Sequence, residues 1–269
     1  MASLEDFNHQ KLGNPDGKKL VFLHGLMGSG ANWRSVAKSF QEEFEILLYD
    51  QRGHGRSRHM ASYTPDDYSD DLLMILETFG WEQIHLVGHS MGGRNAFHFA
   101  HLHPERVDKL VIEDITPAPD EKSADRITRM INLVPVPFST RKEAKDFFQN
   151  KFPKALLGNP QAQTLADYFY TNMVEKEDGT TSWRFDVDGI VQTIEAGRKA
   201  ELWNEVESLS MPTLWMRGSE SEDLPSDHFQ RVLQSNSGIQ GIEISPSGHW
   251  IHFDQPTQFV EAIQQFFSE

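Results

Sequence analysis

Short apolar runs recur along the chain and are separated by segments with helical periodicity. The runs are "LVFLHG" at 20–25, "FEILLYD" at 44–50, "IHLVGHS" at 84–90, "LVIEDI" at 110–115, "TLWMRGS" at 213–219 and "GIEISPSGHW" at 241–250. Runs that are apolar on both faces are typical of strands buried in a parallel sheet whose two sides are covered by helices. The pattern therefore predicts an α/β fold with a mostly parallel central sheet.

Helices are predicted on either side of the run at 84–90. In "YTPDDYSDDLLMILETFG" and "RNAFHFAHLHPERV" the apolar residues recur at three- and four-residue steps, and Gly80 and Pro104 stand at the ends of these segments. The C-terminal "PTQFVEAIQQFF" repeats the pattern and places Phe259, Ile263 and Phe266 on one face. We expect this last helix to pack against the sheet.

The strand rhythm stops between about Thr116 and Ser208, where the chain favours helices and is punctuated by proline. An interruption of this length predicts a mainly helical cap inserted over the carboxyl edge of the sheet, where open α/β sheets bind ligands. We therefore divide the chain into a first core segment at 1–116, a cap at 117–208 and a second core segment at 209–269.

A serine between two glycines follows the central apolar run. The stretch Gly88-His89-Ser90-Met91-Gly92 fits G-x-S-x-G between a predicted strand and a predicted helix, which is the context of a nucleophile elbow. The glycines leave space for a sharp turn that exposes the Ser90 hydroxyl, and the Met91 N–H at the helix start points toward an anion formed there. The alternative is a tight strand-to-helix turn with no catalytic role.

Two further segments supply what a serine nucleophile needs. In "HGLMGSGANW" at 24–33 the Leu26 N–H is the most plausible second donor of an oxyanion hole, although a plain glycine-rich turn is the alternative. In "SPSGHWIHFDQP" at 245–256 we assign His249 as the base, because an imidazole has a pKa near neutrality. His252 is the competitor, which we interpret as a packing or hydrogen-bonding residue.

The "HG" pair, "YDQRGHGRS" at 49–57, "GHSMGG" and "GHWIHFDQP" together resemble the α/β-hydrolase superfamily over nearly the whole chain. Within it, the sequence is similar to the small serine esterases of the YbfF type and their eukaryotic relatives in the abhydrolase-domain-eleven group. The chain order of serine, acid and histidine is that of the superfamily. The resemblance implies an α/β-hydrolase fold and a serine carboxylesterase acting on short- to medium-chain acyl esters, with acyl thioesters as an extension.

The acid of the triad has more than one candidate position. Three residues after Gly218, where the superfamily usually has an aspartate, this chain has Ser221. The resembled esterases place the acid after the preceding strand, in a stretch matched here by "EDITP", so the resemblance points to Asp114; period-2 alternation sends Glu113 to the opposite face. The acidic loop keeps three alternatives open, namely Glu220, Glu222 and Asp223.

The net charge of the chain limits the classes of molecule that it is expected to bind. Lys and Arg number 25 against 40 Asp and Glu, for a formal charge of −15, which disfavours binding to nucleic acid and anionic membranes. The same charge slows the approach of strongly anionic substrates unless a local basic patch intervenes, so we expect acyl substrates that are uncharged or weakly charged. No window approaches the roughly 20 apolar residues of a membrane span, and the N-terminal residues have neither a secretory nor a transit pattern. With no cysteine in addition, we expect a cytoplasmic protein without membrane insertion, as a monomer or a homodimer.

Other polar clusters in the sequence have mainly structural interpretations. We take Asp50 and Arg52 as loop organisers, with an active-site contribution as the alternative. We take the cluster of His98, His101 and His103 as surface or helix-packing residues, because no carboxylate completes a familiar metal set. No dinucleotide fingerprint follows a strand, so no cofactor and no metal are predicted. Candidates for lining the substrate pocket are Met27, His89, Phe138, Trp183 and Trp250.

Two alternatives to the esterase stay open. The same triad serves C–C bond hydrolysis, lactone opening or perhydrolysis in other enzymes of this fold class, and a ligand receptor can retain all three residues without turnover. Fold-level analogy does not choose among these.

Overall fold

The structure is a computed structural model that describes residues 2–156, 158 and 162–269. Its strands are β1 (His9–Gly13), β2 (Lys18–Leu23), β3 (Phe44–Tyr49), β4 (Ile84–His89), β5 (Val107–Glu113), β6 (Met173–Glu175), β7 (Thr181–Trp183), β8 (Thr213–Gly218) and β9 (Ile239–Ile244). Seven of them form one sheet in the order β1-β3-β2-β4-β5-β8-β9. Only β1 runs antiparallel to its neighbour in that sheet, which confirms the predicted, mostly parallel α/β architecture.

The six apolar runs of the sequence coincide with β2, β3, β4, β5, β8 and β9. The edge strand β1 was not predicted, because four of its five residues are exposed and it lacks the apolar alternation of a buried strand. The last run ends earlier than expected, at Ile244, because Pro246 follows and has no N–H to continue the ladder.

The helices surround this sheet. They are α1 (Arg34–Ala37), α2 (Pro65–Phe79), α3 (Met91–Leu102), α4 (Glu121–Asn132), α5 (Arg141–Asp146), α6 (Phe152–Ala155), α7 (Ala162–Thr171), α8 (Val187–Thr193), α9 (Trp203–Glu207), α10 (Ser226–Ser235), α11 (Ile251–Asp254) and α12 (Pro256–Ser268). The sequence signals set the bounds of α2: Thr64 caps its first turn, and Gly80 ends it in the left-handed conformation with φ of 67°.

Strand alternation divides the core between the two faces of the sheet. Val21 and Leu23 of β2 join an apolar cluster with α2, α3, α9 and α10, whereas Leu20 and Phe22 join a cluster with α1 and α12. The predicted face of α12 is buried in the second cluster. Helices therefore cover both faces, as expected.

Between β5 and β8 the chain forms α4 to α9 and the β6–β7 hairpin. A third apolar cluster, which includes Phe148, Phe152, Phe169 and Trp183, holds most of this segment together over the carboxyl edge of the sheet. Helix α9 packs instead against the core through Trp203. The boundaries at 117 and 208 stay a prediction, and residues 157 and 159–161 of the predicted cap lie outside the described residues.

One buried arginine joins both passages of the chain between core and cap. The Arg94 guanidinium on α3 donates to the carbonyl oxygens of Thr116 at 2.6 Å and Ala118 at 3.1 Å, where the chain leaves the core. It also donates to Ala200 at 2.6 Å, where the chain returns. The base of the cap is thus fixed to the helix that begins beside the candidate nucleophile.

Candidate active site

Ser90 stands between β4 and α3 with φ of 55° and ψ of −118°. A positive φ is costly for a residue with a Cβ and persists only where the surrounding structure enforces it. Two glycines make the turn possible. A Cβ on Gly88 would lie 2.3 Å from the carbonyl oxygen of Gly92, and one on Gly92 would lie 2.4 Å from that of Leu23. The turn presents Ser90 to a cavity at the carboxyl end of the central strand.

The structure brings Ser90, His249 and Asp114 into one hydrogen-bonded chain. His249, in the loop after β9, has its Nε2 at 2.9 Å from Ser90 Oγ and its Nδ1 at 2.8 Å from Asp114 Oδ2. Asp114 follows β5, is fully buried and has a φ of 51°. With Nδ1–H donating to the carboxylate, Nε2 accepts the Ser90 hydroxyl proton, which is the geometry of a general base and its nucleophile.

Asp114 is held by two groups besides His249. The Gly218 N–H donates to its Oδ1 at 2.9 Å, and the Ser221 hydroxyl donates to its Oδ2. Ser221 occupies the position at which the superfamily usually has its acid, and here it supports the acid of the neighbouring strand. Among the three alternatives in the acidic loop, only Asp223 approaches the imidazole within the described part of the chain, with Oδ2 at 3.7 Å from His249 Nδ1.

Burial and charge act in opposite directions on the base. Burial of the ring disfavours the imidazolium, but the carboxylates of Asp223 and Asp114 favour it more strongly, so the pKa of His249 lies above its ordinary value. Burial raises the pKa of Asp114, and its hydrogen bonds from His249, Ser221 and Gly218 oppose that rise. The two carboxylates thus favour a protonated imidazole at His249, while burial disfavours the charged form of Asp114.

The loop after β2 lies directly against the nucleophile. A Cβ on Gly25 would lie 3.4 Å from the Ser90 Cβ. The Gly25 carbonyl accepts hydrogen bonds from His24 Nδ1 at 2.8 Å and from the Gly28 N–H at 3.0 Å. Because the peptide group is planar and trans, these bonds fix the Leu26 N–H in the direction opposite to that carbonyl.

The second predicted oxyanion donor is the Met91 N–H. Met91 is the first residue of α3, so its N–H has no acceptor within the helix and lies at the positive end of the helix dipole. From the cap, the Tyr168 hydroxyl donates to the Leu26 carbonyl at 2.8 Å and fixes the same loop. The assignment of the Leu26 and Met91 N–H groups as an oxyanion hole stays a prediction.

A second acid and histidine pair lies on the other side of the same strand end. Glu113 is fully buried and accepts hydrogen bonds from the N–H of His252 at 2.9 Å and from its Nδ1 at 2.8 Å. The interpretation of Glu113 as facing away from the triad, and of His252 as a hydrogen-bonding residue, is confirmed. The pair anchors the short helix that follows His249.

His89 ties the nucleophile strand to the base. Its Nε2–H donates to the His249 carbonyl at 2.9 Å. Burial first, and then the charges of His249 and His252, hold the pKa of His89 well below its ordinary value, so His89 stays neutral. Polar atoms of His89, Glu113 and His252 lie within 4.8 Å of one another. Since hydrogen bonds occupy the Glu113 carboxylate and the Nε2 of His89, we assign the trio as an anchoring network.

The cavity in front of Ser90 has a volume of about 730 Å³ and lies between core and cap. Its lining includes the apolar residues Leu26, Met27, Ile127, Met130, Leu165 and Phe169 and the charged residues Arg126, Arg198, Glu220, Glu222, Asp223 and Asp254. The cavity thus offers apolar surface to a substrate, and acidic groups outnumber basic ones in its lining.

A sequence model described as the alpha/beta hydrolase fold matches residues 18–256, and this span includes every residue of the Ser90–His249–Asp114 chain. The chain belongs to the α/β-hydrolase family. Among its relatives, the sn-1-specific diacylglycerol lipase ABHD11 of Mus musculus is 31% identical over 257 residues, covering 93% of this chain and 80% of the relative. A putative esterase/lipase of Haemophilus influenzae is 25% identical over 252 residues, covering 93% and 83%.

The fold of this α/β-hydrolase also matches solved structures. A marine microorganism esterase superposes with a TM-score of 0.82 and 28% identity, covering 97% of this chain and 98% of that protein. The relatives named as esterases and lipases support a carboxylic ester hydrolase. Among the described residues, none of the helices is both long and apolar enough to cross a bilayer.

Two of the five pocket candidates in this α/β-hydrolase need correction. Met27, His89 and Trp250 line the cavity. Phe138 and Trp183 do not line it, because both are buried inside the cap. Phe138 packs against Phe147 with ring centroids 5.4 Å apart, and Trp183 stacks on Phe185 with ring centroids 4.7 Å apart. Both residues are apolar because they pack inside the cap, and the sequence alone cannot distinguish this role from lining the substrate pocket.

Sequence reasoning missed three residues that shape the site: His24, Tyr168 and Arg198. The first stood in the "HG" pair, so the motif offered a signal. Tyr168 and Arg198 gave none, since they reach the site from the cap, and Tyr168 is separated from Leu26 by 142 positions in the chain.

The loop-organising roles of Asp50 and Arg52 are confirmed. The Asp50 carboxylate accepts the backbone N–H groups of Gly30 and Arg56, each at 2.8 Å. The Arg52 guanidinium donates to both oxygens of Asp71 at 2.6 Å. These residues shape the loops beneath the site.

The histidines on α3 hold helices together. His98 bonds to Asp66 at 2.9 Å and to Glu205 at 3.0 Å, and His101 bonds to Ser208 at 2.6 Å. Each contact joins α3 to another helix or to the residue that follows that helix, in agreement with the predicted role in helix packing.

The pKa of the base leads to a prediction for pH dependence. His249 accepts the Ser90 proton only when neutral, so kcat/KM should fall as the pH is lowered through the pKa of His249, at a midpoint above the ordinary imidazole value of 6.5. Hydrolysis of p-nitrophenyl acetate, followed at the isosbestic wavelength of the product, measures this profile. A midpoint below that value would contradict the assigned carboxylate environment.

Proposed function

We propose that the protein is a serine carboxylesterase that hydrolyses uncharged, short- to medium-chain acyl esters through an acyl-enzyme on Ser90. The observation that carries the proposal is the chain from Ser90 Oγ through His249 to Asp114, with contacts of 2.9 and 2.8 Å, beside an apolar cavity surface. Relatives named as an esterase/lipase and as a diacylglycerol lipase support hydrolysis of acyl esters.

The proposed reaction has two halves. Ser90 Oγ bonds to the acyl carbon while His249 Nε2 takes its proton, and the Leu26 and Met91 N–H groups stabilise the oxyanion. The C–O bond to the alcohol then breaks, and the alcohol leaves with the proton from His249. Water repeats the sequence on the acyl-enzyme, giving its proton to His249, and the acid is released as Ser90 regains a proton.

The cavity supports the choice of substrate. Its apolar lining residues accommodate an acyl chain, and a volume of about 730 Å³ exceeds what acetate alone needs. The acidic residues of the lining, together with the formal charge of −15, disfavour strongly anionic leaving groups. We therefore expect neutral esters to be turned over faster than phosphate-bearing thioesters of equal acyl length.

The test combines turnover with covalent labelling. We expect the native protein to hydrolyse a p-nitrophenyl series from acetate to palmitate, with kcat/KM highest at a short or medium chain. An alkyl fluorophosphonate should add one adduct, mapped by mass spectrometry to the Ser90 peptide, and abolish turnover in proportion to labelling. Labelling at Ser90 without turnover of any ester or thioester would redirect the assignment to lactone, C–C bond or receptor chemistry.

A further inference from the structure

The imidazole of His249 faces two carboxylates. Asp114 Oδ2 lies 2.8 Å from Nδ1, within hydrogen-bond distance, and Asp223 Oδ2 lies 3.7 Å from the same nitrogen. Asp223 follows β8 and is itself buried, with 9% of its surface exposed. A carboxylate this close to the base, screened from water, acts on its charge even without a hydrogen bond.

Asp223 is linked to the triad through Ser221. The Asp223 N–H donates to the Ser221 hydroxyl oxygen at 3.1 Å, and the same hydroxyl donates to Asp114. The loop after β8 therefore places both a donor for the first carboxylate and a second carboxylate beside one imidazole.

Cations of the cap contact the second carboxylate. Arg198, in the π-helical turn that follows α8, is 7% exposed and donates to Asp223 Oδ1 and, at 3.2 Å, to Asp120 Oδ2. Arg126 of α4 lies 3.3 Å from Asp223 Oδ2. Asp223 thus joins the loop after β8 to the cap through ion pairs.

We propose that Asp223 acts as a second carboxylate on His249 and that Arg198 limits this action by holding Asp223 back from the imidazole. Asp223 and Arg198 are then positioning residues that tune the base, while Asp114 remains its hydrogen-bonding partner. The proposal rests on the proposed function, in which His249 is the general base.

Other charged or titratable groups face His249 from the neighbouring elements. Asp114 comes from the end of β5, His89 from β4 and Asp254 from α11, whose carboxylate accepts the Gly248 N–H at 2.8 Å. His89 is neutral, and Asp254 is engaged with the backbone. The remaining acids of the loop lie toward solvent, with 83% of the Glu222 side chain exposed. Asp223 and Arg198 are therefore the pair whose removal changes the charge at Nδ1 with the least change in hydrogen bonding to the ring.

The experiment measures how fast a fluorophosphonate labels Ser90 as a function of pH, alongside the NMR titration of the His249 ring. Asp223→Asn should lower the midpoint of both curves by about one pH unit, because a favourable charge is lost. Arg198→Gln should raise it by about one unit, because Asp223 loses the buried cation bound to its Oδ1 while Arg126 stays beside its Oδ2. The matched control Asp227→Asn removes an exposed aspartate of α10 and should leave the midpoint in place.

The double variant decides whether Arg198 acts through Asp223. In the Asp223→Asn background, Arg198→Gln should move the midpoint by less than half of its effect in the native background. Equal effects in both backgrounds, or an unchanged midpoint in Asp223→Asn, would overturn the proposal. If Arg198→Gln does not fold, Arg198→Lys should fold and keep a midpoint close to native, and Asp223→Asn still tests the first half. Failure of the proposed function would show separately, as absence of Ser90 labelling at every pH, while the His249 titration remains measurable.

Discussion

Replacing Ser90 with alanine should lower kcat for p-nitrophenyl esters by about 10⁶-fold, the scale found when a serine hydrolase loses its nucleophile. Alanine removes only the oxygen that would bond to the acyl carbon, and the His249 hydrogen bond of 2.9 Å is lost with it. Substrate binding depends on the cavity walls, so the dissociation constant of a non-hydrolysable ester analogue should change little. Rapid-quench and steady-state assays give the loss in turnover, and calorimetry gives the binding.

The control for this variant is Ser39→Ala, a serine that is exposed near the end of α1. Its turnover should match that of the native protein. Retention of ester hydrolysis in Ser90→Ala, after exclusion of a contaminating activity by repurification, would show that another group carries the reaction.

Asp114→Asn should lower kcat by about 10⁴-fold with little change in the free energy of unfolding. An asparagine amide cannot stabilise the imidazolium, and it allows the ring tautomer in which Nε2 no longer accepts the Ser90 proton. The backbone tolerates the change, because asparagine accepts a positive φ, here 51°, about as well as aspartate does. Steady-state kinetics and chemical unfolding of the same preparation separate the two effects.

The Asp114 prediction has a direct competitor in the acidic loop. If Asp223→Asn lost activity by that factor while Asp114→Asn kept it, Asp223 would be the acid of the triad. Glu222→Gln should have a small effect, since its side chain is largely exposed. The exposed Asp227→Asn serves again as the matched control, because it makes the same chemical change on the helix that follows the loop.

The sequence predicted those parts of the site that are encoded locally. Gly88 and Gly92 flank Ser90 because a side chain at either would collide with backbone about 2.4 Å away or less, so the motif and the turn are one constraint. The five inner strands, β3, β2, β4, β5 and β8, were evident because burial on both faces requires apolar residues at successive positions. Asp114 needed the family resemblance, since no local rule separates it from the acids of the loop at 220–223.

Contacts that the cap makes, within itself and with the core, could not be predicted from the sequence. Phe138 and Trp183 had the same apolar character as true pocket residues, and only packing distinguishes them. Arg198 carried no signal in the sequence, because its acidic partner Asp223 is separated from it by 25 positions and no periodicity relates the two. Edge strand β1 was missed because its exposed residues show no hydrophobic pattern.

The Arg94 clamp sets rules for building chimeras. Its guanidinium requires the carbonyl groups of Thr116, Ala118 and Ala200, all of which belong to the two junctions. A cap transplanted from another enzyme between Pro119 and Lys199 would leave these three acceptors in place, although it would remove the Tyr168 contact to the Leu26 carbonyl. Such a swap would also remove Arg198, so an exchange made to alter substrate range would shift the working pH of the hybrid as well.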